Sequence, residues 1–351
     1  MKQIQKNSIK PLYLQIREYL LHKSKGKSHY RFPSERELCK LFAVSRPTAR
    51  KALDFFIKNN LIARHPGKGT FLINRNTKRL SQQTIKILIR NSWKTWRSDS
   101  YFGRIMNGIM SSISTSNFKL QIENYSDRKK YELSANDELL IWLSPENSEI
   151  SAIKELAMNG LPSIVINRII DYPGVVSICT DHELGANIAV SHLIERGHKS
   201  ILYVGSNNEQ IINEYRYDGY IEACKRSASF NFREPLMLSG EDLNDKLKKN
   251  LKNILEAEDP PSAIFLANGN FQETTLNTLE ELNLKTPEDI SLISFDNVHL
   301  YSQTKNISVI DQEVELLAEK AIENCKKLGT QKKILIAPKL IERGSVKSIQ
   351  T

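Results

Sequence analysis

Apolar residues recur along the first eighty positions of the chain with two different spacings. Leu12, Ile16 and Leu20 stand four apart behind Pro11, with Tyr13 and Tyr19 beside them, which predicts a helix with proline in its opening turn. The segment PSERELCKLF, residues 33–42, predicts a second helix: Ser34 and Glu37 form an S-x-x-E capping box, and Leu38, Leu41 and Phe42 give it an inner face. A short turn from Ala43 to Ser45 leads into VSRPTARKALDFF, residues 44–56. There Ser45 is placed as N-cap, and Ala49, Ala52, Leu53 and Phe56 follow the i, i+3, i+4, i+7 spacing of a buried stripe. Arg46, Pro47, Arg50 and Lys51 are thereby left facing outward. The period then changes, and LIAR and TFLI flanking HPGKG read as a β-hairpin with a glycine-bearing tip.

Residues 74–84, NRNTKRLSQQT, are polar and carry no apolar period, so they read as a linker or short hinge segment. From residue 85 onward short apolar runs alternate with amphipathic segments. IKILIR, DELLIWL, PSIVIN, VVSICT, KSILYVG, SAIFLA and DISLISF are separated by stretches such as ISAIKELAMNG, GANIAVSHLIERG and NFQETTLNTLEEL. Near-continuous apolar strands between helices predict parallel sheets covered on both faces. The expected organisation is a head over 1–74, a linker over 75–84 and a body over 85–351. In fold class this is a small α+β head, a winged helix-turn-helix, joined to a two-lobed, doubly wound parallel α/β domain with a small-molecule cleft near strand carboxyl ends.

Charge sharpens the division. Residues 1–80 hold 19 Lys and Arg against 4 Asp and Glu, whereas the remainder holds 31 against 36, so the net +10 belongs to the head. A basic module followed by a mildly acidic one is the footprint of a nucleic-acid binder joined to something with another task. With 40% hydrophobic residues and no apolar run near the ~18 residues of a membrane span, a soluble cytoplasmic protein without membrane contact is expected. Cys39, Cys179, Cys224 and Cys325 are far apart with no C-x-x-C pair, which points to free thiols rather than disulfides or zinc.

Two helices joined by a tight turn, the second presenting arginines near its start, make helix-turn-helix geometry, in which that start enters the DNA major groove. A guanidinium fork can grip guanine O6 and N7, or a phosphate. The bland alternative is a surface helix with solvated arginines. The hairpin that follows argues for a wing, whose tip can lie along the minor groove, Gly67 allowing close approach and Lys68 supplying charge. The fragment GKGT lacks the leading glycine and following helix of a phosphate-binding loop.

Taken together, PLYLQIREYL, FPSERELCKLFAVSRPTARKAL and GKGTFLI resemble, in that order and spacing, the winged helix-turn-helix of GntR-type bacterial transcription regulators over residues 9–73. The resemblance implies DNA contacts from Arg36, Ser45, Arg46, Thr48, Arg50 and Gly67. Pro47 departs from the family pattern, where a less rigid residue is usual; early in a helix it is tolerated but removes a donor.

The body lacks a G-x-S-x-G elbow, an H-E-x-x-H metal motif and a G-x-G-x-x-G loop, so neither enzymatic activity, cofactor nor metal is expected. His182, His192 and His198 flank a helix or precede a strand and are read as structural or surface residues. LPSIVINR, CTDHELGANIAVSHLIERGHKSILYVG, EYRYDGYIEAC and TPEDISLISFDN resemble the effector domain of LacI-type repressors, itself similar to periplasmic sugar-binding proteins, over residues 85–345. A GntR-type head on such a body resembles the arabinose-repressor-like subgroup. The resemblance implies a sugar cleft lined by Tyr101, Phe102, Asn167, Arg168, Arg216, Asn268, Asp296 and Gln312. The stretch FLANGNF departs from it, with Gly269 where relatives carry aspartate after the asparagine. Polar forks and carboxylates can satisfy a ring of hydroxyls, and aromatic faces can cover a sugar ring. The expected function is a ligand-responsive repressor that binds double-stranded operator DNA as a homodimer and answers to a sugar-like effector. The alternative left open is a small-molecule sensor or carrier whose basic head binds RNA, membrane anions or a protein.

Overall fold

The computed structural model describes residues 11–24, 30–58, 61–65, 69–72, 83–89, 101–114, 118–124, 138–158, 161, 163–207, 211–297, 305–327 and 333–349. By contact the chain divides into two compact units. One gathers residues 1–93, 113–177 and 321–334, the other 94–112, 178–320 and 335–351.

The head comprises α1 (Leu12–Ser24), β1 (Arg31–Phe32), α2 (Glu35–Phe42), α3 (Arg46–Lys58), β2 (Ile62–His65) and β3 (Gly69–Leu72). Its three strands pair antiparallel in the order β1-β3-β2, with Ile62 opposite Leu72 and His65 opposite Gly69. Ile16 and Leu20 of α1, Leu38 of α2, and Ala49, Ala52, Leu53, Phe55 and Phe56 of α3 close on Phe32 and Ile62 as a single core. The expected stripe of α3 is therefore the buried one. Leu41 corrects the reading of α2: it is 57% exposed, because Leu38 and Phe42, four apart, define the inward face and Leu41 falls off it.

The rest of the first unit is built on β4 (Gln83–Ile89), β5 (Phe118–Asn124), β6 (Glu138–Leu143), β7 (Ser163–Ile166) and β8 (Val175–Thr180), with α5 (Asn147–Met158) between β6 and β7. With β14 (Lys333–Ile336) these strands form a six-stranded sheet in the order β14-β8-β7-β6-β4-β5. The pairings of β4 with β5, β4 with β6, and β6 with β7 are parallel. Strand β4 begins at Gln83, two residues inside the stretch expected as linker, because its ladder with β5 starts at the pair Gln83 and Phe118. The polar residues Gln83 and Thr84 hid it from a reading based on apolar period.

In the second unit the chain runs through α6 (His182–Glu195), β9 (Ile201–Ser206), α7 (Ile211–Lys225), β10 (Leu236–Leu238), α8 (Leu243–Leu255), β11 (Ala263–Leu266), α9 (Gln272–Glu281), β12 (Ser291–Phe295), β13 (Ser308–Asp311) and β15 (Lys339–Ile341). Helices α4 (Tyr101–Ser114) and α10 (Val314–Lys327) begin in this unit as well. Its sheet has the order β10-β9-β11-β12-β13-β15, parallel except for the last pair. Alternation explains why its strands are apolar throughout. Tyr203, Phe265 and Ile293 pack under α6 and α7, while Leu202, Ile264 and Leu292 pack against the opposite face with α8. Each such side chain, fully buried, contributes roughly 1.5 to 3 kcal/mol. Helices α6 and α7 touch at Gly219, where a Cβ would lie 2.1 Å from the Glu183 carbonyl oxygen, so only glycine permits the approach.

Candidate functional site

In the head, the geometry at the start of α3 follows from its caps. Helix α2 opens with the capping box: the Ser34 N–H donates to Glu37 Oε2 at 2.6 Å, and the Glu37 N–H to Ser34 Oγ at 3.2 Å. These bonds, the one from the Ser34 backbone foremost, hold the Glu37 carboxyl below its ordinary pKa. Ala43 ends α2 in the left-handed conformation at φ 49°, which turns the chain tightly into α3. Ser45 stands at the head of α3, its Oγ 2.9 Å from Thr48 Oγ1, and its carbonyl accepts from the Ala49 N–H at 3.1 Å. Pro47 occupies the first turn, where its missing N–H costs no helical bond.

With Ala49 and Ala52 facing the core, Arg36, Ser45, Arg46, Pro47 and Arg50 are exposed and Thr48 is half-buried. Arg46 carries its charge to solvent. Arg50 lies against Glu35 of α2, with Nε to Oε1 and Nη2 to Oε2 both 3.4 Å. That pair is long and solvent-facing, Arg50 being 62% exposed along its side chain, so it holds the fork loosely. Two further cations lie alongside, Lys51, expected at the surface, and Arg17, which the sequence did not single out. Lys51 sets its ammonium 4.2 Å from the Tyr13 ring centroid, and Arg17 stacks 4.6 Å from that of Phe55. Gly67 and Lys68 lie outside the described residues; β3 resumes at Gly69, whose φ of 114° only glycine adopts readily.

The second unit assembles a polar constellation past the carboxyl ends of its strands. Arg216, from α7, is buried. Its Nε donates to His182 Nδ1 at 3.3 Å, its Nη1 donates to the Ala267 carbonyl at 2.5 Å and lies 3.7 Å from Asp296 Oδ2, and its carbon stands 3.8 Å over the Phe295 ring. Asp296 follows β12 in the left-handed region, φ 76°, and its Oδ2 accepts from the Gly269 N–H at 3.1 Å. The Gln312 amide, just past β13, donates to Asp296 Oδ1. Having spent its nitrogen there, Gln312 keeps its Oε1 buried with no hydrogen-bond partner among the described residues. The Tyr101 hydroxyl, at the start of α4, is likewise enclosed and unpartnered. Burial first, and then the nearby Cys179 and Asp296, push the Tyr101 pKa well above its ordinary value. Burial and the Arg216 charge push His182 well below its own, so the ring is neutral, accepts at Nδ1 and carries its proton on Nε2.

Tyr101, Arg216, Asp296 and Gln312 are thus brought together, with Asn268 beside them next to Gly269. Asn268 is half-buried and its Oδ1 accepts from the Asn270 N–H at 3.0 Å, capping the 3₁₀ turn Gly269–Phe271. Phe102 is turned into the core. Asn167 and Arg168 belong to the other unit. Asn167, at φ 63°, donates to Ser144 Oγ at 3.2 Å, and the buried Arg168 donates to the Pro145 carbonyl at 3.0 Å and to Asn147. Sequence reasoning missed His182 as the partner of Arg216, since nothing local in the chain signals a contact 34 residues away.

A cavity of about 500 Å³ opens elsewhere on the second unit, lined by Leu202, Phe232, Arg233, Leu236, Ile254 and Asp259. It lies at the amino ends of β9 and β10 and includes none of the residues above. In open parallel sheets ligands enter at carboxyl ends, so the constellation around Arg216 is the better candidate. Among the described residues no group of three or more His, Cys, Asp or Glu is placed to hold a metal ion. His198 lies between Ser262 Oγ at 2.9 Å and the Lys347 carbonyl at 3.2 Å, and His192 stands 3.7 Å from Glu342, so the three histidines do not converge. No described helix is long and apolar enough to cross a membrane.

Comparison with known proteins agrees with both halves of this picture. Residues 12–72 match the bacterial regulatory proteins of the gntR family, and residues 190–346 match the periplasmic binding protein-like domain. The arabinose metabolism transcriptional repressor of Halalkalibacterium halodurans is 24% identical over 346 residues, covering 90% of this chain and 91% of that protein. The probable HTH-type transcriptional repressor ExuR of Bacillus subtilis is 24% identical over 336 residues, covering 90% and 99%. Among solved structures, a LacI family transcriptional regulator from Enterococcus faecium with bound ribose superimposes with a TM-score of 0.63 at 20% identity, over 76% of this chain and 100% of that one, which establishes the fold of the body. The chain thus joins a GntR-type winged helix-turn-helix head to a periplasmic-binding-protein-like, LacI-type body, and over 90% of its length it is similar to two transcriptional repressors.

Proposed function

We propose that the chain is a sequence-specific transcriptional repressor that binds double-stranded operator DNA as a homodimer in the cytoplasm and is controlled by a small sugar or sugar-like metabolite. The observation that carries this reading is the start of α3, where two alanines are buried and Arg46 and Arg50 are left at the surface on a capped, rigid end. Arg46 and Arg50 are assigned to base edges, with Ser45, Pro47, Thr48 and Arg36 alongside them and Gly67 and Lys68 at the wing. Arg216, Asp296, Gln312, Tyr101 and Asn268 are assigned to the ligand, whereas for Phe102, buried in the core, and for Asn167 and Arg168, which belong to the other unit, a ligand role rests on the resemblance alone. The unpaired Gln312 oxygen and Tyr101 hydroxyl support a ligand that offers hydroxyls, since a buried polar atom left unmatched is costly.

A homodimer is supported by the two-fold logic of operator binding. The names of the relatives point the ligand search at pentoses first. The test is salt-titrated binding of the full chain to its own upstream DNA against a scrambled duplex, with L-arabinose and D-ribose present or absent. A preference for the upstream site that responds to either sugar is the expected result. Equal binding to both duplexes under all conditions counts against the repressor.

A further inference from the structure

Tyr101, Asp296 and Gln312 come from three separate segments: the first turn of α4 and the residues just past β12 and β13. Beside each stands a buried polar side chain that no motif singles out. Arg104 is one turn on from Tyr101, Asn297 follows Asp296, and Asp311 precedes Gln312. These three neighbours meet. Arg104 Nη2 lies 3.3 and 3.4 Å from the two Asp311 oxygens, and the Asn297 amide donates to Asp311 Oδ2 at 2.6 Å. The Glu313 N–H donates to Asp311 Oδ1 at 2.8 Å, and Arg343 Nη2 donates to the Asn297 oxygen at 2.8 Å. Arg104 is also forked on Glu315 of α10, through Nε at 2.8 Å and Nη2 at 2.6 Å. One turn further along α4, Gly108 sits so close to α10 that a Cβ would lie 2.7 Å from that of Ala318.

Asp311 and Gln312 are successive residues at the end of β13 and turn to opposite sides, and Arg104, on the same face of α4 as Tyr101, reaches Asp311, so the network of neighbours borders the site. Burying an arginine and an aspartate costs more desolvation than apolar packing would, and such a pair is best explained by the geometry it fixes. Burial alone would raise the Asp311 pKa. The Asn297 amide and the Arg104 charge overcome it and hold the carboxyl below its usual range, so the frame is ionised at neutral pH. We propose that Arg104, Asp311 and Asn297 are the positioning residues of the ligand site, a buried frame that holds Tyr101, Gln312 and Asp296 in register, with Arg104 setting where the Tyr101 hydroxyl stands. The inference rests on the assignment of those three residues to the ligand.

The first test needs no ligand. Full-length protein carrying fluorotyrosine at position 101 is compared by fluorine NMR as wild type, Arg104→Gln, Asp311→Asn and, as a remote control, Lys248→Gln, whose pair with Glu281 is exposed. The frame predicts that Arg104→Gln and Asp311→Asn move the Tyr101 resonance toward its solvent-exposed position. Lys248→Gln should superimpose on wild type, and Arg104→Lys, which keeps the cation and loses the fork, should fall between. If Arg104→Gln does not fold, Arg104→Lys and Asn297→Ser carry the comparison. An unchanged resonance in every folded frame variant overturns the proposal.

The second test is calorimetric titration with L-arabinose and D-ribose. Where the wild type binds, Arg104→Gln should weaken affinity about tenfold, and Tyr101→Phe should cost less in that background than alone. Strict additivity overturns the proposal. If neither sugar binds the wild type, the ligand assignment is the part that suffers, and the fluorine comparison still decides the frame.

Discussion

Arg50 of the head and Arg216 of the body are the same side chain used in opposite ways. Arg50 is 62% exposed and leans on a single carboxylate at 3.4 Å, whereas Arg216 is 3% exposed along its side chain and held by a carbonyl, an imidazole, a carboxylate and an aromatic face. An exposed, loosely paired guanidinium can exchange its partner for a phosphate or a guanine edge at little cost. A buried, fixed one cannot move, and serves by presenting a preset charge to whatever enters. The difference teaches that the head is built to meet a large polyanion brought to its surface, and the body to measure the shape of something small.

Breaking the buried arginine should have the larger effect. Arg216→Ala removes the cation beside Asp296 and leaves the buried Ala267 carbonyl without its donor, so a stability loss of about 3 kcal/mol by denaturant titration is expected, with loss of the response to any sugar in a thermal-shift panel. Arg50→Ala should leave stability nearly unchanged and cost roughly 1 to 3 kcal/mol of discrimination between operator and scrambled duplex, read by fluorescence anisotropy. Ser34→Ala removes the cap that aims α2 and should destabilise the head by about 1 kcal/mol, seen in its melting.

Two smaller effects sharpen the contrast. The pKa of Glu37 is depressed by the capping bonds, so its contribution is present at neutral pH and is lost as pH falls through the folded value in the acid range; Ser34→Ala, which keeps the backbone donor, should remove only the smaller part of that loss. In the body, burial depresses His182, His192 and His198, so the unfolded chain takes up protons first. Stability should therefore decline as pH falls below about 6.5, and His182→Gln should remove part of the slope without touching DNA binding. Least of all, Lys68→Ala should lower the salt dependence of operator binding by about one unit of slope and leave sequence preference intact.

Local pattern carried the head almost completely. The buried alanines of α3, the capping box and the hairpin each depend on residues within a few positions of one another, which a sequence displays directly. Leu41 was misread because a short helix offers too few turns to fix its inward face. Seven strands of the body were equally visible as apolar runs, apart from the polar start of β4, whereas β5, β10 and β13, which also pair in parallel, were not singled out. Through resemblance the sequence named Tyr101, Arg216, Asn268, Asp296 and Gln312, which the fold brings together, and the bonds that join them were not legible. Arg104 and Asp311 are 207 positions apart, Arg216 and Ala267 are 51 apart, and no period or spacing encodes such meetings. Asn268 shows the limit from the other side, since the segment match implied a ligand contact and the fold also spends its side chain on capping a turn.

The division of labour along β11, β12 and β13 has an evolutionary consequence. Both faces of these strands are sealed by packing, so substitutions within them are penalised whichever way the side chain points. Asn268, Asp296 and Gln312 stand just beyond the strand ends, where, given the proposed ligand role, a replacement changes what is recognised and leaves the sheet whole. A lineage carrying this scaffold can thus acquire a taste for a new metabolite through a few changes at strand tips, while inheriting the rest of the body unaltered.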